Sequence, residues 1–296
     1  MECVVPPLKV KMPNSRFAAL IHPLFNRPGA VAAALAVVLL SLNAPAFAQS
    51  EPPKKIDIGS LSAATLVDEV VVPVPSEVFS VLDKLGSPNW HEILRSDKTN
   101  TPRERTQQAL LLGTVIAEGF IAVEAQDSQE VKKIGNNVLK LAAAIGVERH
   151  VKARSSAIIE SANDKDWNKV RRELDGALQD VKAAMIELED EQLAQLVSLG
   201  GWLRGTEALT AIVRKSYTRD SAELLNQPAL LDFFERRLNG LDSKLRSDPL
   251  VAKIHTSLPK IRPHLGDGQA DIGPKAVEEI HTITSDLVKL VNARES

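Results

Sequence analysis

Residues 109–125 read ALLLGTVIAEGFIAVEA, with Glu118 and Glu124 as their only charges. A helix that is apolar nearly all round has no face to turn to water, so other helices must surround it. Two carboxylates make this stretch too costly as a membrane span. A second such segment covers 193–213, with Arg204 and Glu207 as its only charges and Gly200, Gly201 and Gly205 in its interior. Each interior glycine costs a helix about 1 kcal/mol against alanine, and close approach of another backbone is the usual offset. Gly201 and Gly205 lie one turn apart and make a flat strip, as do Gly113 and Ala117 on the first helix. The two helices are therefore expected to cross closely.

Helix signals recur along the rest of the chain, and no stretch alternates with period two for long. Val70 to Val74 is strand-like, but Pro73 argues against a place in a sheet. Helices are expected at Ser60–Val72, Ser76–Leu85, Asn89–Arg95, from Thr101-Pro102 to Ala125, and from Asp127 to Gly146 with Asp127 and Glu130 as a capping box. Others follow at Val147–Ala162, Asp166–Glu189, Glu191–Tyr217, Pro228–Leu238, Leu241–Arg246 and Pro249–Ile261. Residues 263–273 read as a loop. Pro274 opens a last helix whose Val277, Ile280, Thr284, Leu287 and Val291 form a seam that must pack on the bundle. The expected fold is all-α, an irregular multi-helix bundle of roughly ten helices. Its domain covers 60–262, and the C-terminal helix 274–296 packs on it. Residues 110–125 also align weakly with 196–211.

The N-terminus reads as an export signal. Lys9, Lys11, Arg16 and Arg27 precede the small, apolar stretch Ala30–Leu42, and Ala46-Phe47-Ala48 is a small-x-small cleavage pattern before Gln49. The apolar core is about 13 residues, short of the ~20 that span a bilayer. Residues 1–48 are thus expected to be a cleaved signal peptide, with Met12 a plausible start. Residues 49–59 follow as a flexible leader, and no transmembrane segment is expected in the mature chain. The single cysteine, Cys3, lies in the removed part and far from the cut, so disulfides, thiolate metal sites and thiol catalysis are excluded after cleavage. The expected location is the periplasm.

Several motifs nearly form. His91-Glu92-Ile93-Leu94-Arg95 begins like a zinc-protease HExxH, but Arg95 stands where the second histidine must be, and a cation cannot ligate zinc. Glu278-x-x-His281 is one half of a di-iron unit without a second half. Asp267, Gln269, Asp271 and Glu278 have calcium-loop spacing, but Ile272 replaces the glycine of the sharp turn. Nothing points to haem on His91, His150 or His255. Basic pairs such as Lys132-Lys133, Arg171-Arg172 and Arg236-Arg237 alternate with acids and read as solvated faces, so no nucleic-acid partner is expected.

No catalytic residue, cofactor or metal is assigned on this reading. Glu118, Arg204 and Glu207 remain, with Trp202 beside them, as candidate ligand-binding residues. Three arrangements fit these charges: a solvated stripe, a structural ion pair, or a polar pocket between the central helices. The expected role is an exported periplasmic protein acting by binding or scaffolding on an unknown protein or small molecule. The alternative is a small-ligand or metal-binding helical domain with a charged pocket between the central helices.

Overall fold

Four consecutive helix–helix connections end in the same way. The computed structural model describes residues 80–95, 101–266 and 271–293. Helices α1 (Arg105–Glu124), α2 (Ser128–Ala144), α3 (Glu148–Asn163), α4 (Trp167–Glu187) and α5 (Glu191–Lys215) are joined by these turns. In each, one residue takes a left-handed conformation: Gln126, Gly146, Lys165 and Glu189. The next amide then closes a six-residue loop onto the departing helix, as in Asp127 N–H to Ala122 C=O and Asp190 N–H to Met185 C=O. This satisfies the carbonyls that a helix end leaves orphaned and reverses the chain within a few residues. Four successive reversals give an up-and-down array in which α1 and α5 run in the same direction.

Caps fix where the next helices begin. Asp127 accepts from the amides of Gln129 and Glu130, while the Glu130 carboxylate turns to Lys133 instead of completing a capping box. Asp166 accepts from the Lys169 amide. The C-terminal part is more broken: α6 (Arg219–Glu223), α7 (Pro228–Asn239), α8 (Ser243–Arg246), α9 (Pro249–Ser257) and α10 (Pro274–Asn292). Prolines stand in the first turn of α7, α9 and α10, where a missing N–H costs nothing.

The described residues are helical and contain no strand, so the chain is an all-α multi-helix bundle. Several boundaries differ from the sequence reading. Asn89–Arg95 is a single 3-10 turn, Trp90–Glu92, and beyond it the Ile93 carbonyl and the Arg95 amide go to tertiary partners described below. Helix α1 starts at Arg105, not at Pro102, and the Gln108 side chain donates to the Pro102 carbonyl across the extended approach. Pro259 lacks an N–H, and the chain there tightens from α9 into the 3-10 turn Leu258–Lys260. Helix α6, capped by Thr218, was not foreseen. The signal peptide, the leader, the helix expected at Ser60–Val72, the strand-like run, the start of Ser76–Leu85 and the first four residues of the calcium-like loop, with Asp267 and Gln269, lie outside the described residues.

Packing follows a row in which α10 lies on α5, α5 on α1, α1 on α2, α2 on α3 and α3 on α4. The seam of α10 is buried throughout, and Gln107 of α1 donates to the carbonyls of Val291 and Ala293 at its end. Helix α1 is long and apolar enough to cross a membrane, yet 83% of its apolar window is buried inside the bundle, as expected of a central core helix.

Helices α1 and α5 cross at van der Waals contact of their backbones. A methyl group on Gly113 would lie 1.9 Å from the Val197 carbonyl oxygen, and one on Gly200 would lie 2.0 Å from that of Leu110. The close crossing is thus present, on the expected Gly113 of α1 but on Gly200 of α5 in place of the strip Gly201–Gly205. Gly201 only grazes the Gly113 oxygen at 3.5 Å, and Gly205 is exposed with nothing near it. The contact face of α5 runs through Val197, Gly200, Gly201 and Arg204, and one further residue turns about 100° away from it. The weak alignment of the two segments has the same offset, 86 residues, as the bonded pair Glu118 and Arg204.

Candidate functional site

Arg204 is the largest of the fully buried side chains, 2% exposed. A guanidinium in such a place must find acceptors for its N–H groups, because desolvation without partners is prohibitive. Its Nε donates to Glu118 Oε1 at 2.6 Å, one terminal nitrogen to Glu207 Oε2 at 3.4 Å, and the other to the Ile93 carbonyl at 2.6 Å. Glu118 and Glu207 are themselves only 8% and 5% exposed. Arg95 completes the set: its amide donates to Glu118 Oε2 at 3.3 Å and its guanidinium bonds Glu207 Oε1. Every carboxylate oxygen has a donor, and two positive charges balance two negative ones.

Local structure explains the convergence. Arg204 and Glu207 are three apart on α5 and share a face. Glu118 lies on the face of α1 that also carries Thr114 and Ala122, and all three are buried. The solvated-stripe arrangement is therefore overturned, since the whole stripe is buried and Glu118 meets Arg204 of α5 and the Arg95 amide. The charges meet one another in the interhelical seam.

Trp202 is not part of this group. Two residues before Arg204 is about 200° around the helix, and its ring packs on Phe234 of α7, with centroids 5.2 Å apart. Phe233 adds an edge contact at 5.2 Å, and Arg237 covers Phe233. The indole nitrogen is buried with no acceptor among the described residues.

Sequence reasoning missed Arg95. It is the residue that spoils the zinc motif, and its charge is used on Glu207 instead. No local signal marks this role, because the partner lies 112 residues away. His91 of the same stretch is exposed, 3.4 Å from Asp127. Among the described residues, no three His, Cys, Asp or Glu come together in a metal-holding group. Glu278 pairs with Arg214 at 2.5 Å, and His281 Nδ1 lies 3.0 Å from the Thr210 hydroxyl.

His281 extends the site into α10. Burial, followed by the nearby Arg214, lowers its pKa from the ordinary 6.5, against the opposing pull of Glu207 and Glu278. The unfolded chain therefore takes up this proton more readily than the folded one. Its contribution to stability is complete above pH 6.5 and is lost as the pH falls through the lower, folded value. Urea midpoints measured across this range should fall towards acid pH, and His281→Asn should flatten that part of the profile. Superimposable slopes for the two proteins would show that His281 does not couple to folding.

No protein-family model matches the chain, and comparison with curated proteins and with solved structures likewise gives no match.

Proposed function

We propose that this chain is exported and acts in the periplasm by binding or scaffolding, through surfaces of the helical bundle and not through a charged pocket at its centre. The observation that carries this reading is the closed charge set. Glu118, Arg204, Glu207 and Arg95 are satisfied by one another and by backbone groups. A ligand held there would have to displace contacts that already neutralise every charge. Export is supported by the basic flank, the short apolar core and the Ala46-Phe47-Ala48 pattern.

Two measurements on the protein from its own cells test the reading. N-terminal sequencing of the periplasmic form should begin at Gln49, and a start at or before Gly29 would contradict processing at this site. Native mass spectrometry of the same fraction should show the chain carrying a macromolecular partner. A small-molecule mass that disappears on Arg204→Ala would instead establish the alternative, a ligand pocket between the central helices.

A further inference from the structure

The turn between α4 and α5 and the short helix α8 share one end of the bundle. The Asp242 amide at the start of α8 donates to Gln192 Oε1 in the first turn of α5 at 2.8 Å. The two neighbours carry opposite charge. Glu189 and Glu191 stand on the turn and the start of α5, Lys244 and Arg246 on α8, and all four are exposed. None of the four has an ion-pair partner among the described residues. Arg246 donates to the Asn239 carbonyl, while the nearby Asp190 and Asp242 are taken by Arg105 and by the Leu245 amide.

Apolar surface lies in the same turn. Ile186 and Leu188, 43% and 41% exposed, are the two most exposed large apolar side chains among the described residues. Covering them would remove apolar surface from water. The left-handed conformation of Glu189 sets the turn at the end of the bundle, where a partner can reach it.

We infer that this end of the bundle pairs with the same end of a second copy of the chain. In a two-fold dimer a surface meets itself reversed, so an acidic element beside a basic one is complementary to its own copy. Glu189 and Glu191 of each copy meet Lys244 and Arg246 of the other, and Ile186 and Leu188 are covered. A partner of one sign would be attracted to half of this surface and repelled by the rest. The two segments hold fewer residues than the roughly 20–30 a side of a standard interface, so the dimer is weak, with a Kd in the micromolar range. The inference rests on the surface-binding reading and deepens it by naming the chain itself as one partner.

The test is sedimentation equilibrium of the purified mature chain at concentrations up to roughly 200 μM, above a micromolar Kd. The unsubstituted protein should approach the dimer mass at low salt and dissociate as NaCl is raised towards about 1 M, where the screening length falls to about 3 Å. Glu189→Lys/Glu191→Lys and Lys244→Glu/Arg246→Glu should each be monomeric, because each turns the surface to a single sign. An equimolar mixture of the two should recover the dimer, since each copy then supplies the sign that the other lacks. Circular dichroism shows whether the charge variants are folded. If either is not, Ile186→Ser/Leu188→Ser decides, with a Kd expected to rise about tenfold or more. A monomer at every concentration, folded variants that dimerise as well as the unsubstituted protein, a mixture that stays monomeric, or a mass above the dimer overturns the proposal. A monomeric chain that still carries another macromolecule in the periplasmic fraction would defeat this inference and leave the surface-binding reading standing.

Discussion

Gly113→Ala and Gly200→Ala are each expected to destabilise the protein by about 3 kcal/mol or more, at the upper end of what overpacking costs. The new methyl group would meet a backbone carbonyl of the facing helix near 2 Å, at Val197 for the first and Leu110 for the second. A backbone oxygen has no rotamer into which to retreat. The helices must separate, and the packing that α1 and α5 share along the seam is lost with them. Gly205→Ala is the internal control. Its Cβ meets nothing, so it should gain up to about 1 kcal/mol from helix propensity alone. Urea unfolding of the three variants checks this directly. Equal midpoints for all three would show that the helices do not approach as described.

That pair of helices also shows how far the sequence could be read. Their lack of a polar face placed both in the centre, and their glycines announced a close crossing. The face was assigned one residue too far along α5, because the strip Gly201–Gly205 and the face through Gly200 and Arg204 differ by a single 100° step. Only the partner helix chooses between them. Helix ends were legible where a proline or a capping acid marks them, as at Pro228, Pro274 and Asp166. The ends near Gln126, Lys165 and Glu189 were placed to within two residues, but their left-handed turns were not legible, because none of the three is glycine. The isolated charges Glu118, Arg204 and Glu207 stood out against apolar surroundings, and the structure joins them. Arg95 did not stand out, since a basic residue in a polar stretch looks solvated until its distant partner is in place. Trp202 was grouped with Arg204 by sequence proximity, and helical geometry separates them.

The account rests on the buried charges being a structural set that neutralises itself. Removing one member leaves the remainder unbalanced in a medium of low polarity, and breaking a buried pair in this way typically costs about 3–5 kcal/mol, against about 1 or less for an exposed pair. Arg204→Ala strands two carboxylates against Arg95 alone, and Glu118→Ala strands Arg204 with one of its three acceptors gone. Both single variants should therefore be strongly destabilised. The double variant leaves Arg95 and Glu207 as a balanced pair, so its loss should be smaller than the sum by about 1–3 kcal/mol. A double-mutant cycle on Glu118 and Arg204 by urea unfolding measures this coupling. The structure predicts large single losses with strong coupling between them; small, additive losses, or single variants as stable as the unsubstituted protein, would contradict it and return these charges to a ligand pocket or the surface.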